Sequence, residues 1–246
     1  MPRTRLAVIV LLCSLVPGIA SSNELRIAVA ANFAPTLKLL KPVFEKENGI
    51  RITIIKGSTG KLFAQIIHGA PYDVFLAADQ RRPRLLEQKN LTSKQGRTTY
   101  AIGQIALWSG QPDRSALEAL KQASFRRIAI ANPKTAPYGA AAIQVMQHLA
   151  LYDTVKPNLV TGENISQAFQ FVQSGNAELG FVAYPDIKRH NIKQYWLPDT
   201  TTYKPLEQQM VILKRSRHQA LAHRFARFMV REDIKQMLRQ QGYIAP

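Results

Sequence analysis

Four short stretches carry the residue types best suited to chemistry, and each falls where an apolar, β-type run hands over to a helical pattern. They are Ala30-Ala31-Asn32-Phe33, Gly57-Ser58-Thr59-Gly60-Lys61, Asn132-Pro133-Lys134-Thr135-Ala136-Pro137-Tyr138-Gly139 and Gly162-Glu163-Asn164-Ile165-Ser166. A helix start leaves backbone N–H groups unpaired and carries partial positive charge, so it stabilises an anion without any charged side chain. In the first stretch, small residues let backbone approach a ligand and Asn32 can donate through its amide; Asn is also an ordinary helix N-cap, and both roles stay open. In the second, the glycines allow a tight turn and the Ser58 and Thr59 hydroxyls stand just before a helix, as an anion cradle or as a hydroxyl-capped turn. Tyr138 can turn its hydroxyl into a cleft or merely pack, and the Ile165 backbone N–H is a further donor.

Other chemistries lack their parts. A phosphate-binding P-loop needs Gly-x4-Gly-Lys-Ser/Thr, whereas Gly60-Lys61 is followed by Leu62 and Gly57 is too close. Neither a Gly-x-Ser-x-Gly elbow nor His-Glu-x-x-His occurs. His68, His148, His190, His218 and His223 are scattered, and the last two are spaced off a common helix face. Asp73 and Asp79 resemble a carboxylate pair but read better as residues that flank a strand and cap the next element. Cys13 is the single cysteine, so the rest of the chain offers no disulfide or thiolate site.

The elements that must position these loops alternate. Strand runs at 25–30, 51–56, 73–77, 104–108, 127–130, 179–183 and 208–213 are interleaved with helical patterns at 34–47, 61–68, 139–151 and 166–174, which implies parallel sheets flanked by helices. Residues 191–205, with Pro198 and Pro205, read as an irregular connection. Residues 215–231 read as one amphipathic helix with Leu221, Phe225, Phe228 and Met229 inward. The chain holds 33 basic and 16 acidic residues, a net charge of +17. The basic residues are spread out, so nucleic acid is not an expected partner. Residues 1–20 have the layout of a secretory signal peptide: Arg3 and Arg5, an apolar run from Leu6 to Val16, then Gly18-Ile19-Ala20. The run falls short of the about 20 apolar residues that span a bilayer, so a soluble exported protein is expected.

Together with Ala70-Pro71-Tyr72-Asp73-Val74-Phe75-Leu76-Ala77-Ala78-Asp79-Gln80 and Asn-Pro-x-x-Ala-Pro-Tyr-Gly at 132–139, these loops resemble the periplasmic molybdate-binding proteins, over nearly the whole chain from Glu24. The resemblance implies an α/β, two-lobed type II periplasmic-binding-protein fold, each lobe a mostly parallel sheet flanked by helices with the ligand cleft between. One lobe would comprise 24–102 plus 205–246, the other 103–204. It further implies a monomeric, periplasmic binding protein that is not an enzyme and has no cofactor. Its ligand is molybdate or tungstate, delivered to an ABC permease in the inner membrane. Carried over by position, the oxyanion ligands are Asn32, Thr59, Tyr138 and Ile165, with Ala31 and Ser58 beside them. Ala31 lacks a hydroxyl that some relatives have. Ala183 stands where some relatives have a ligand tyrosine, a contact Tyr138 can supply. The same fold binding sulfate or phosphate, or a secreted enzyme, are the alternatives.

Overall fold

The structure, a computed structural model, describes residues 24–246, so the signal-peptide reading over 1–20 lies outside the described residues. The chain builds two sheets. The first contains β1 (Glu24–Ala30), β2 (Arg51–Gly57), β3 (Val74–Leu76), β4 (Thr98–Gly103) and, from far along the chain, β9 (Leu206–Ile212), in the order β2-β1-β3-β9-β4. β2, β1 and β3 are parallel, and β9 runs antiparallel to β3 and β4. The second sheet has the order β5-β8-β6-β7, from β5 (Ile105–Ser109), β6 (Ile128–Ala131), β7 (Leu159–Gly162) and β8 (Leu179–Ala183). Here β6, β7 and β8 are parallel and β5 is antiparallel. Only Gln104 separates the two sheets on the outward crossing, and the chain returns through 190–205 into β9.

The helices follow the strands. α1 (Ala34–Asn48) and α2 (Thr59–Ile67) come after β1 and β2, and α3 (Arg81–Gln88) after β3. In the second half, α4 (Ala116–Lys121), α5 (Pro137–His148), α6 (Tyr152–Val155), α7 (Ile165–Gln173) and α8 (Tyr184–Arg189) surround the second sheet. α9 (Gln219–Met229) and α10 (Glu232–Gln240) pack back on the first. Each sheet has its own apolar core. Leu25, Ile27 and Val29 of β1 lie against Leu37, Leu40 and Phe44 of α1 and Phe225 and Phe228 of α9. Ile128 and Ile130 lie among Ala142, Val145 and Met146 of α5 and Ala168 and Val172 of α7. Strands buried on both faces explain why the sequence shows continuous apolar runs rather than alternation.

Two expected boundaries move for visible reasons. The helix read over 215–231 starts only at Gln219. Ser216 donates its hydroxyl to Asp73 and accepts the His218 N–H, and these side-chain bonds hold 215–218 as a turn. The helix read from Gly139 starts at Pro137, whose fixed φ and missing N–H suit a first helical position. The arginines of α9 that are exposed, Arg224 and Arg227, lie on its solvent side, while Phe225, Phe228 and Met229 are buried.

Candidate functional site

The register of each sheet sets its loops side by side. Ala30 pairs with Gly57, so the turn into α1 and the turn into α2 leave neighbouring parallel strands at the same level. Ala131 pairs with Gly162, which does the same for the turns into α5 and α7. Parallel neighbours are about 4.8 Å apart, so each sheet presents two helix starts together at its carboxyl edge. Local chemistry shapes the turns. Ser58 is extended before α2 (φ −69°, ψ 146°). Asn164 caps α7, its side-chain oxygen accepting the Ser166 and Gln167 N–H groups at 3.1 and 3.2 Å. Gly139 has no Cβ because one would meet the Ala131 carbonyl oxygen at 2.1 Å, and this lets α5 start hard against the end of β6.

The two pairs of loops touch. Gly60 N–H donates to the Thr135 carbonyl at 2.8 Å, and the Ser166 hydroxyl to the Ala31 carbonyl at 3.3 Å. Lys61 and Glu163 form an ion pair at 2.9 Å across the same seam, half exposed and therefore weak. Ala30, Ala31 and Ala78 of the first half share a buried apolar cluster with Ala136, Tyr138 and Ala141 of the second. Asn32, Ser58, Thr59, Tyr138 and Ile165 are all nearly inaccessible to solvent.

The buried polar groups of these loops are uncharged. The Ser58 hydroxyl is buried and has no hydrogen-bond partner, and the same holds for Thr135 Oγ1. Among the described residues, no carbonyl accepts from the backbone N–H groups of Asn32, Thr59, Tyr138 or Ile165. Thr59 differs from its neighbour: its oxygen accepts the Ala78 N–H at 3.2 Å, so it also ties α2 to the end of β3. Burial pushes the Tyr138 hydroxyl well above the usual tyrosine range, with nearby Tyr243 and Asp186 adding to the shift. Tyr138 therefore keeps its proton as a neutral donor. Hydrogen bonds from such groups to an anion in a water-poor cleft are stronger than those between neutral partners.

Asn32 departs from the expectation that its side chain reaches the ligand. Its amide nitrogen faces Gln208 Oε1 at 2.9 Å and the Tyr243 oxygen at 3.4 Å, which occupies both amide hydrogens. Its backbone N–H, by contrast, meets no carbonyl among the described residues. Ala183 caps α8 with no side-chain bond. Tyr184 packs beside Tyr195, with ring centroids 5.7 Å apart, and against Gly242. Asp79 accepts the Arg82 N–H and pairs with its guanidinium, and Asp73 accepts the Arg26 N–H, so both carboxylates have local structural partners. Among the described residues no three His, Cys, Asp or Glu side chains gather as metal ligands.

The sequence does not point to Gln208, Tyr100 or Tyr243 in this region, and Thr135, though within the third stretch, has no role assigned there. The signal for Gln208 is the pair of amides, Gln208-Gln209, that opens an otherwise apolar strand run. Tyr100 and Tyr243 lie in segments, β4 and the chain end, that carried no periodic pattern.

The chain resembles known proteins over most of its length. A family model described as bacterial extracellular solute-binding protein matches residues 25–244. The molybdate-binding protein ModA of Azotobacter vinelandii is 40% identical over 232 residues, covering 91% of this chain and 91% of the relative. The ModA of Rhodobacter capsulatus is 38% identical over 226 residues, 92% of this chain and 90% of the relative. The solved periplasmic molybdate-binding protein of Azotobacter vinelandii superposes with a TM-score of 0.87 at 37% identity, over 91% of this chain and 100% of that one.

Proposed function

The chain belongs to the bacterial extracellular solute-binding proteins and, within them, to the molybdate-binding proteins; from that premise we propose that it holds a tetrahedral metal-oxide dianion between its two sheets through uncharged donors. It captures molybdate for an ABC transporter and carries no cofactor. The oxyanion contacts are the Ser58 and Tyr138 hydroxyls, the Thr59 hydroxyl, and the backbone N–H groups of Asn32, Thr59, Tyr138 and Ile165, with Ala31 lining the wall. The observation that supports this reading is a buried, unpartnered Ser58 hydroxyl at the meeting point of four helix starts, two from each sheet.

The two sheets with their helices act as lobes, 24–102 plus 205–246 and 103–204, that open for entry and close on the ligand. Closure makes the inter-lobe contacts seen here and presents one continuous surface to the permease, a population shift driven by the ligand's preference for the closed form. The protein works as an exported, periplasmic monomer with its signal peptide removed. It binds without turning its ligand over and has no nucleic-acid partner. Tungstate binds as molybdate does, because the two ions have nearly the same size and charge.

Titration calorimetry with molybdate, tungstate, sulfate and phosphate tests the assignment. Tight binding of the first two and weak or no binding of the others is expected. Clear sulfate heat with none from molybdate or tungstate would overturn it.

A further inference from the structure

Gln208 is a fully buried amide, 0% exposed, on the strand that returns the chain from the second sheet to the first. Its side chain meets both halves of the molecule. Oε1 accepts from Asn32 Nδ2 at 2.9 Å and stands 3.2 Å from the Tyr100 hydroxyl. Nε2 donates to the Tyr138 hydroxyl oxygen at 3.4 Å. Gly103, on the outward crossing, makes room for this meeting: a Cβ there would lie 2.7 Å from Gln208 Nε2 and 2.1 Å from the Tyr138 oxygen.

The direction of this hydrogen-bond chain is set from one end. The Asn32 carbonyl can only accept, so the Tyr243 hydroxyl, 2.9 Å away, donates to it. The Tyr243 oxygen then accepts from Asn32 Nδ2, and the second hydrogen of that amide goes to Gln208 Oε1. This fixes which end of the Gln208 amide faces Asn32, and leaves its NH2 facing Tyr138. The Tyr138 oxygen receives a hydrogen, and its own proton has no acceptor among the described residues. A fully deprotonated oxyanion needs donors alone.

We propose that Gln208 is a positioning residue for anion capture: through one amide it holds Asn32 of the first sheet's loop and forces the Tyr138 hydroxyl of the second half to act as a donor toward the cleft. The inference rests on the anion-binding reading of that cleft. Loss of a hydrogen bond to a charged partner corresponds to about 10- to 100-fold in affinity, which sets the scale of the effect.

Molybdate titrations of wild type, Gln208→Glu, Gln208→Met, Tyr138→Phe and the Gln208→Met/Tyr138→Phe double variant test it. At pH 8 the Gln208→Glu carboxylate only accepts, takes the Tyr138 proton into its own hydrogen bond and repels the dianion, so affinity falls at least about 100-fold. At pH 5 a protonated carboxyl reproduces the acceptor and donor ends of the amide, and most of the affinity returns. The titratable and charged groups around the amide network, Tyr100, Tyr138 and Tyr243 with Tyr203, Asp79, Asp186 and Arg189 beside them, are common to wild type, which therefore serves as the pH control. Gln208→Met weakens binding about tenfold in the wild-type background and clearly less in Tyr138→Phe, because the part that acts through that hydroxyl is already lost. Additive losses in the cycle, an equal Gln208→Glu deficit at both pH values, or wild-type affinity of Gln208→Glu at pH 8 would each overturn the proposal. If Gln208→Glu does not fold, the methionine and phenylalanine cycle decides alone. A wild type that binds no molybdate would instead sink the reading of the cleft, and the inference with it.

Discussion

Ser58 and Thr59 are neighbouring hydroxyls at one helix start, and the structure gives them different duties. Ser58 Oγ is buried with nothing to bond, while Thr59 Oγ1 receives the Ala78 N–H. Ser58→Ala removes an unsatisfied polar atom, so the ligand-free protein should be as stable as wild type or up to about 1 kcal/mol more stable. Its molybdate affinity should fall about 10- to 100-fold. Thr59→Ala strands a buried N–H and should lower ligand-free stability by about 1 kcal/mol, a melting shift of roughly 2–4 °C for a chain this long. Thermal melts without ligand and titrations with it separate the two, and a Ser58→Ala variant with wild-type affinity would remove that hydroxyl from the site. The tyrosines give a pH signature. Burial raises the Tyr100, Tyr138 and Tyr243 hydroxyls above their ordinary value in the folded protein. The unfolded chain therefore loses these protons first, from about pH 10, and stability falls as pH rises through that value. The tyrosinate absorbance of these three hydroxyls, taken as the difference between wild type and the corresponding phenylalanine variants, should appear together with unfolding, and molybdate binding should persist up to that point; its appearance in the still-folded protein would contradict their burial. At this scale the hydroxyls and amides that stand before helices were legible in the sequence. It did not reveal which atom of Asn32 is available, because that depends on Gln208, 176 positions away.

At the scale of elements, the useful device is the close approach of α2 to the loop before α5. Gly60 is the second residue of α2, and a Cβ there would stand 3.0 Å from both Thr135 Cα and its carbonyl oxygen. Alanine is a better helix former than glycine by roughly 1 kcal/mol, so Gly60→Ala should not lower the stability of the ligand-free protein if its lobes stand apart. The same methyl group obstructs the bond from Gly60 N–H to Thr135. Molybdate affinity should fall roughly tenfold, the equivalent of a bond of about 1.4 kcal/mol. Unchanged affinity would mean that the bound form does not need this contact. Strands buried on both faces, such as 25–30 and 179–183, and helices with a clear apolar stripe were legible in the sequence. β4, β7 and the short α3, α4 and α8 were not. β4 is a polar-edged strand, Thr98–Gly103, whose partner β9 lies over a hundred residues away, so pairing rather than local pattern makes it a strand. α8 has six residues, too few to show a helical period.

For the whole molecule, charge and site act on different steps. The donors around the cleft are neutral, yet the chain carries a net charge of +17. Lys56, Arg81 and Lys134 are exposed beside the turns that form the cleft, and among the described residues none has a carboxylate within ion-pair distance. Fields of this kind raise the encounter rate with an oppositely charged ligand and are screened over about 10 Å at 0.1 M salt. If the lobes close as proposed, the dianion is held by short-range hydrogen bonds out of contact with solvent ions. The association rate for molybdate should therefore fall by about an order of magnitude between 10 mM and 500 mM salt, while the dissociation rate stays nearly constant. Lys134→Gln should slow association at low salt, leave dissociation unchanged, and lose most of its effect at high salt. Stopped-flow measurements across that range check both rates. If dissociation carries the salt dependence instead, the surface cations bind the ion directly, and the neutral cleft would no longer account for its retention.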